Sequence, residues 1–338
     1  MLYLRGFLTI YTTPSNYSIC KPIARKISLE MPTSPTTNFK FIDLFAGVGG
    51  MRLAFERVGG NCVFSSEWDK YSQQTYARNF GEIPHGDITQ ISEKEIPKFD
   101  VLVAGFPCQP FSTIGKRQGF SHPTQGTLFH DVVRIMRQKR NKAFLLENVV
   151  GLQSHSNGDT FEVIKNSLTE LGYRWDYKVL DAADFGVPQH RSRIYIVGFK
   201  SRKGGHTPMT WPEGNTKHNG IGPFLETGVS GHSISKHLQD VYLFKKNDAR
   251  PQIVDRESDI PVKTLVATYH KIQRLTGTFV RDGETGLRLL TANECKAIMG
   301  FPHTFKIPVS RTQMYRQMGN SVAVPVITKL ADWISKEL

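Results

Sequence analysis

The stretch 39-FKFIDLFAGVGGMRLAFERV-58 decides the fold class, because a strand, a turn and a helix follow one another in it. Residues 39–45 form an apolar run typical of a buried strand, residues 46–50 a glycine-rich turn, and residues 51–58 a helix with an apolar face. Further segments of both kinds follow, with strands predicted at 62–65, 100–104, 143–146 and 194–197 and helices from Asp69 and at 128–137. Such alternation predicts an α/β fold with a doubly wound, mostly parallel sheet and helices on both of its faces.

The composition is that of a globular protein with a basic surface. The chain has 338 residues, 39% of them hydrophobic, and a formal net charge of +13. No apolar run approaches the length of a membrane span, and we expect a cytoplasmic protein. The charge favours a polyanionic partner, most often nucleic acid, although a generally basic surface without such a ligand has the same composition.

Four widely separated cysteines occur, at positions 20, 62, 108 and 295, without the spacing of metal ligands. We therefore expect no metal site and no disulfide framework, and each cysteine is a free thiol in a reducing compartment. Cys62 and Cys295 fit a buried structural role.

Composition and pattern divide the chain into four segments. These are a weakly ordered leader (1–38), a catalytic and cofactor-binding domain (39–199), a second, irregular domain (200–285) and a C-terminal segment that returns to the catalytic domain (286–338). Within the leader, Met31 is an alternative start of the natural protein. The last segment has a capping box at 291–294 and a closing helix at 322–336, with Gly319 and Asn320 in the turn before it.

Polar side chains near the ends of the first strands predict a nucleoside pocket. The glycine turn at 47–50 allows a ligand to approach the backbone, but Arg52 replaces the third glycine of the dinucleotide motif G-x-G-x-x-G and argues against a pyrophosphate. Glu67 follows the second strand, where an acid accepts hydrogen bonds from ribose hydroxyls, and Trp68 can stack on a purine. Asp87 follows the third predicted strand position and can accept from an exocyclic amine. Either acid alone fits a helix N-cap better, yet together they favour a ligand such as S-adenosylmethionine.

Cys108 stands just past a buried strand, between Pro107 and Pro110, where a parallel sheet presents catalytic groups. The prolines indicate a fixed, exposed loop rather than a buried structural thiol. A cysteine nucleophile needs a positive field that favours its thiolate. The basic side chains that can supply this field are Lys116, Arg117, Arg191 and Arg193.

Glu147 directly follows the strand predicted at 143–146, where a carboxylate is costly unless it is paired or functional. Burial raises the pKa of such a carboxyl and lets it donate a proton, whereas a salt bridge to an arginine is the structural alternative. Arg191 and Arg193 precede another strand, and their side chains can point into the same cleft, although such a pair is usually solvated surface.

Taken in order, these motifs resemble those of the cytosine-5 DNA methyltransferases of bacterial restriction–modification systems. The matching stretches are 43-DLFAGVGG-50, 67-EW-68, 86-GDI-88, 105-GFPCQPFS-112, 126-GTLF-129, 147-ENV-149, 189-QHRSR-193 and 319-GNSV-322. The resemblance covers residues 39–338 and leaves only the leader outside. Single motifs of this length are weak signals, but eight in the family's order are specific.

The resemblance implies the fold of the S-adenosylmethionine-dependent methyltransferases with a smaller target-recognition domain. It also implies methyl transfer from S-adenosylmethionine to carbon 5 of cytosine in a specific duplex DNA sequence. Cys108 would attack carbon 6 of a flipped-out cytosine, and Glu147 would protonate or hydrogen-bond N3. Arg191 and Arg193 would hold the base and phosphate.

The resemblance, the glycine turn and the basic residues of the recognition segment together predict two sets of binding residues. The cofactor site comprises Phe45, Gly47, Gly49, Glu67, Trp68, Asp87, Ile88, Pro107, Leu128, Asn320 and Ser321. The predicted DNA contacts are Ser112, then Lys116 and Arg117 in a loop at 113–125 that closes on DNA, and Lys271 and Arg274 in the recognition domain.

Two other functions fit the same motifs. One branch of the family methylates tRNA, and a relative that has lost catalysis would be a DNA-binding module. Enzymes that methylate amino groups of DNA are disfavoured, because no [D/N/S]-P-P-[Y/F] tetrapeptide occurs. We expect a monomer that acts on duplex DNA beside a restriction endonuclease for the same site, without a membrane or a metal.

Overall fold

The computed structural model describes residues 39–107, 128–215 and 217–338, which contain a seven-stranded sheet and a separate pair of short strands. In chain order the strands are β1 (Phe39–Leu44), β2 (Gly60–Ser66), β3 (Val101–Ala104), β4 (Ala143–Val149), β5 (Tyr173–Asp181), β6 (Ser192–Lys200), β7 (Gly205–His206), β8 (Gln252–Val254) and β9 (Thr278–Val280). The α-helices are α1 (Gly50–Glu56), α2 (Lys70–Phe80), α3 (Leu128–Lys139), α4 (Asp159–Glu170), α5 (Lys236–Leu238), α6 (Ala292–Met299), α7 (Arg311–Asn320) and α8 (Val324–Lys336). The predicted leader, residues 1–38, lies outside the described residues.

The large sheet has the strand order β2-β1-β3-β4-β6-β5-β7. β2, β1, β3 and β4 run parallel to one another, and they are the strands that the sequence predicted in its first part. β6 lies antiparallel between β4 and β5, and β7 adds a parallel edge. The mostly parallel sheet is thus confirmed, and the antiparallel direction of β6 is a feature that its apolar run did not reveal.

Both faces of the sheet are covered, because neighbouring residues of each buried strand point to opposite sides. Phe41 and Val103 enter one core, which includes α1 and α8. Ile42 and Leu102 enter the other core, together with the apolar faces of α3 and α4. Strands that are buried on both faces are continuous apolar runs, and this is why the doubly wound arrangement could be predicted.

The C-terminal segment departs from its prediction at one point. The capping box is present at the start of α6, where Thr291 Oγ1 accepts the N–H of Glu294 and the Glu294 carboxylate accepts the N–H of Thr291. Gly319 and Asn320 do not form a turn but are the last residues of α7, and α8 begins only at Val324. α7 escaped prediction because glycine and asparagine are poor helix formers and its apolar residues are few.

In the described part of residues 200–285, the predicted recognition domain, the regular elements are short. This segment is tied to α6 through Arg288, which is fully buried and donates to Asp282 at 2.9 Å. Arg288 also donates to both carboxylate oxygens of Glu294, at 2.9 and 2.8 Å. A buried bidentate pair of this kind fixes orientation, because either partner alone would be an uncompensated charge.

No helix within the described residues is both long and apolar enough to cross a membrane. The same ranges hold no group of three or more His, Cys, Asp or Glu side chains arranged to bind a metal ion. Cys62 and Cys295, the cysteines that are described, are free thiols, and burial raises the pKa of Cys62 to about 12. Cys295 is buried, in agreement with the structural role expected for it, whereas Cys62 is only partly buried.

Candidate active site

A cavity of about 780 Å³ opens at the carboxyl ends of the parallel strands. Residues at or just beyond the ends of β1, β2, β3 and β4 line it, as expected for a ligand site of an α/β sheet. The end of α7 and the residues before α8 contribute Gln317, Gly319, Asn320, Ser321 and Val322. The cavity therefore joins the first half of the sheet to the C-terminal segment.

The cavity brings together the residues that the sequence assigned to a cofactor. Those on its wall are Phe45, Gly47, Glu67, Trp68, Asp87, Ile88, Pro107, Leu128, Asn320 and Ser321. Gly49 is the exception, because it faces α2: a Cβ on Gly49 would lie 2.2 Å from the ring of Phe80. Its φ of 88° also belongs to the left-handed region that favours glycine. Gly49 serves the packing of the turn, and the structure does not place it on the cavity wall.

Glu67 is held in a fixed orientation at the end of β2. Its carboxylate oxygens accept the backbone N–H groups of Gly47, at 2.8 Å, and of Asp69, at 2.7 Å. Burial raises the pKa of Glu67, while these hydrogen bonds act in the opposite direction. Each oxygen retains a lone pair for a further hydrogen bond. Glu67 is not a helix N-cap, since Asp69 caps α2 by accepting the N–H of Ser72.

Asp87 reaches the cavity by a different route from the one predicted. It follows no strand of the sheet, because the chain before it runs beside β2 and forms an isolated bridge between His85 and Ser66. The Asp87 carboxylate accepts the N–H of Thr89 at 2.9 Å and so caps a 3-10 helix, Ile88–Gln90. Asp87 is thus both a helix cap and a part of the cavity wall.

Several groups at the cavity lack protein partners. The side chain of Trp68 is 79% exposed, which is unusual for an indole ring. The buried Ser66 Oγ and Gln317 Nε2 have no hydrogen-bond partner within the described residues. An uncovered aromatic face and unpaired buried polar atoms at one cavity indicate a ligand with both apolar and hydrogen-bonding groups.

Glu147 and Arg193 form an ion pair in the same cavity, with 3.3 Å between Oε1 and Nε. Only 12% of the Glu147 side chain and 15% of the Arg193 side chain are exposed. The antiparallel register of β4 and β6 sets Glu147 opposite Tyr195 and Val149 opposite Arg193. Residues two apart on a strand share a face, so this register places Arg193 diagonally beside Glu147. Burial raises the pKa of Glu147, and Arg193 and Arg191 oppose that shift.

Arg191 also lines the cavity, but its guanidinium is engaged with the backbone. The residue is 3% exposed and donates to Leu265 O at 3.1 Å, Gly319 O at 3.0 Å and Ser321 O at 2.6 Å. Burial lowers its pKa to about 10. A guanidinium used in this way links segments of the chain, and the structure does not support the prediction that Arg191 holds the base and phosphate.

Part of the predicted site lies outside the described residues: the nucleophile Cys108, the DNA contacts Ser112, Lys116 and Arg117, and the loop at 113–125. The described neighbour of Cys108 is Pro107, which is on the cavity wall. Asn148 anchors this stretch, because its side chain donates to the carbonyl of Phe106 at 2.9 Å. Asn148 received no role from the sequence, although it stands beside Glu147 in a motif.

The two DNA contacts predicted in the recognition domain have opposite surroundings. Lys271 is exposed at the end of a 3-10 helix, as a DNA contact requires. Arg274 is 5% exposed, and its guanidinium donates to the carbonyls of Leu243, at 2.9 Å, and Lys246, at 3.1 Å, and to Asp248. The structure therefore gives Arg274 an internal role, contrary to the prediction.

Asp43 is a further polar residue of the cavity, and sequence reasoning assigned it no role. It is 1% exposed on β1 and accepts the N–H of Arg52 at 3.2 Å. Burial raises the pKa of Asp43 to about 8, which favours the protonated carboxyl. The signal was present, since an acid inside an apolar strand run is costly unless it has a partner.

The family described as C-5 cytosine-specific DNA methylase matches residues 39–336. This chain belongs to that family. The methylase is similar to the type II methyltransferase M.MspI of Moraxella sp, with 57% identity over 309 residues that cover 91% of this chain and 73% of the relative. It is also similar to M.BsuFI of Bacillus subtilis, with 59% identity over 299 residues, 88% of this chain and 73% of that protein.

Solved structures of methyltransferases share the fold of this methylase. The Dnmt2 methyltransferase of S. pombe has a TM-score of 0.71 at 21% identity, covering 88% of this chain and 99% of that one. The Entamoeba histolytica methyltransferase EhMeth has a TM-score of 0.71 at 23% identity, covering 89% and 98%. The resemblance seen in the motifs is confirmed: the chain is an enzyme, a DNA (cytosine-5-)-methyltransferase of the restriction–modification type.

Proposed function

We propose that this methyltransferase transfers a methyl group from S-adenosylmethionine to carbon 5 of cytosine in a specific duplex sequence, through a covalent adduct between Cys108 and a flipped-out base. The observation that carries the proposal is that the Glu147–Arg193 ion pair and all the residues predicted for the cofactor site except Gly49 line one cavity. A donor bound on the Glu67 side and a base beside Glu147 would meet there.

The cavity wall fits S-adenosylmethionine, which supplies an electrophilic methyl group on a sulfonium. Glu67 offers fixed carboxylate oxygens for the ribose hydroxyls. Trp68 offers an uncovered ring, and Ile88 an apolar surface, for the adenine. The buried Ser66 Oγ and Gln317 Nε2, unpaired in the part of the chain that is described, are groups that a polar ligand would satisfy.

The reaction begins with the Cys108 thiolate, whose sulfur forms a bond to carbon 6 of the cytosine. N3 would take a proton from Glu147, and the electron pair left at carbon 5 would then bond to the methyl group that S-adenosylmethionine supplies, with the neutral thioether as leaving group. A proton acceptor would then remove the proton from carbon 5. Its loss would restore the double bond between carbons 5 and 6 and expel the thiolate, and N3 would return its proton to Glu147. A duplex hides carbon 6, so the base must first leave the helix.

Glu147 suits proton transfer to N3 because burial raises its pKa and so makes it easier for the ion-paired carboxylate to take up a proton before the transfer. Arg193 keeps that carboxyl in one orientation through the contact at 3.3 Å. A cytosine that displaces water from the cavity would strengthen both the effect of burial on the Glu147 pKa and the contact between Glu147 and Arg193. Charges and dipoles interact more strongly in a water-poor site.

The proposal extends to the DNA and to the arrangement of the chain. A net charge of +13 supports a polyanionic substrate, and Lys271 is exposed in the segment at 200–285 that we assign to target recognition. The catalytic unit is a single chain in which residues 39–199 and 286–338 surround the cavity. Similarity to type II methyltransferases supports a cognate restriction endonuclease that cuts the same sequence.

A covalent trap tests the proposed reaction. Bisulfite sequencing of DNA from cells that express the chain first identifies the methylated sequence. A duplex with 5-fluorocytosine at that position cannot lose a proton from carbon 5, so with S-adenosylmethionine it should stay bonded to Cys108. We expect a denaturant-resistant complex with the wild type, mapped to residue 108, and none with Cys108→Ser. A complex at Cys62 or Cys295, or modification of tRNA in place of duplex DNA, would contradict the proposal.

A further inference from the structure

Segments that are far apart in the sequence meet at the guanidinium of Arg191. Its Nη1 donates to Leu265 O, in the predicted recognition domain, at 3.1 Å. Its Nη2 donates to Gly319 O at 3.0 Å and to Ser321 O at 2.6 Å, beside the proposed donor residues. Arg191 is therefore a direct link between the donor side of the cavity and the recognition domain.

Gln189 holds the same segment of the predicted recognition domain through the backbone N–H of Leu265. Its Oε1 accepts the N–H of Leu265 at 2.7 Å, and its Nε2 donates to Ile298 O of α6 at 2.8 Å. The side chain is completely buried, and Val262 forms backbone hydrogen bonds with both chain neighbours of Gln189. Leu265 thus has its N–H and its carbonyl bound to buried side chains, so it cannot shift without breaking both.

The end of α7 touches the same segment directly. A Cβ on Gly319 would lie 2.3 Å from Val266 C and from Ala267 N, so only glycine allows this contact. Movement of Gly319 toward this segment would press on the backbone that follows Leu265. Arg191 also keeps one buried donor, Nε, without a partner in the described ranges, although the residue is on the cavity wall.

We infer that Arg191 is a positioning residue that couples binding of the methyl donor to the placement of the recognition domain on DNA. A donor held at Asn320 and Ser321 fixes the carbonyls to which Arg191 donates, and Arg191 in turn fixes Leu265 and the residues up to Lys271. The inference rests on the proposed donor site. Coupling of two binding sites is reciprocal, so DNA tightens donor binding by the same factor.

Hydrogen exchange of the full chain with S-adenosylhomocysteine, the product of the donor, tests the coupling without DNA. We expect slower exchange in peptides from residues 45–68, which contribute to the cavity wall, and from residues 262–271, which do not. Protection of 45–68 alone would overturn the coupling and leave the proposed function intact. Protection of neither region would show instead that the donor site is wrongly placed.

Arg191→Lys provides a second test, because lysine keeps the charge but lacks the planar fork that spans these carbonyls. In the wild type, S-adenosylhomocysteine should tighten binding of a duplex with the mapped target by about fivefold or more, and in Arg191→Lys this ratio should fall to about one. Arg174→Lys is the matched control, since Arg174 pairs with Glu337 and is not on the cavity wall. An undiminished ratio in Arg191→Lys would overturn the inference. If this variant does not fold, the exchange measurement on the wild type decides.

Discussion

Glu147 and Arg193 lie 3.3 Å apart on neighbouring antiparallel strands, and each side chain is more than four-fifths buried. Because β6 is antiparallel to β4, its first residues, rather than its last, reach the edge where the parallel strands end. The acid therefore stands near the end of its strand and the arginine near the start of its own. This reversal brings two charges from separate motifs into one cavity.

Replacing Glu147 by glutamine should stop proton transfer to N3 and leave donor binding in place. Glutamine keeps the shape but has no acidic proton, and general acid catalysis contributes about 10²–10⁴-fold to a rate. We expect kcat for methyl incorporation to fall by about that factor, with the Kd of S-adenosylhomocysteine within about threefold of the wild type. Glu162→Gln is the control, because Glu162 pairs with Lys165 on the surface of α4. Near-normal kcat in Glu147→Gln would refute the role.

Trp68→Ala should weaken donor binding without destabilising the protein. The residue is 79% exposed, so its removal loses little packing, whereas stacking of a base on an aromatic ring is worth about 1–3 kcal/mol. We expect the Kd of S-adenosylhomocysteine, measured by calorimetry, to rise about 5- to 150-fold with an unchanged Tm. Ile83→Ala is the control, since Ile83 is 73% exposed and is not on the cavity wall. Equal effects of the two substitutions would exclude stacking on Trp68.

Sequence reasoning correctly placed residues that directly follow a buried strand. Glu67 could be placed at the cavity because an acid directly after an apolar run lies at the carboxyl edge of a parallel sheet. The direction of β6 could not be read, since a short apolar run is the same in parallel and antiparallel strands. Arg274 was misplaced because its partner Asp248 lies 26 residues away in an irregular segment, where burial of one arginine leaves no periodic pattern.

Two glycines of the first turn should respond differently to alanine. Both have positive φ, 55° for Gly47 and 88° for Gly49, and a side chain there costs about 1–2 kcal/mol. A Cβ on Gly47 meets nothing within 4 Å, whereas one on Gly49 lies 2.2 Å from the Phe80 ring. Overpacking adds about 1–3 kcal/mol, so urea unfolding should show a total loss of about 2–5 kcal/mol for Gly49→Ala and about 1–2 for Gly47→Ala. Equal losses of unfolding free energy in the two variants would mean that the Phe80 ring moves aside freely.

Asp43 should make the stability of the protein depend on pH. Its pKa is about 8 in the folded state, against an ordinary value of 3.8. The unfolded chain releases this proton above about pH 4 and the folded protein retains it, so the free energy of unfolding falls as the pH rises from about 4 to about 8. Asparagine cannot ionise, and Asp43→Asn should lack this part of the fall.

Urea unfolding of the wild type and of Asp43→Asn at about pH 5 and about pH 8 measures this difference. On going from about pH 5 to about pH 8, the free energy of unfolding of Asp43→Asn should increase by about 1–4 kcal/mol relative to that of the wild type. Parallel pH profiles would show that the Asp43 carboxyl is already ionised in the folded protein.

Lys271 and Arg274 are close in the sequence, yet alanine should affect different properties at each position. Lys271→Ala should leave the free energy of unfolding unchanged and lower the salt dependence of DNA binding by about one unit of slope, because an exposed lysine is free to contact a phosphate. Arg274→Ala should lower the free energy of unfolding by about 1–3 kcal/mol, because the carbonyls of Leu243 and Lys246 lose their donor. Its salt slope, measured by fluorescence anisotropy on the same duplex, should match the wild type. A reduced slope with full stability in Arg274→Ala would mean that this guanidinium leaves its internal contacts and reaches the DNA.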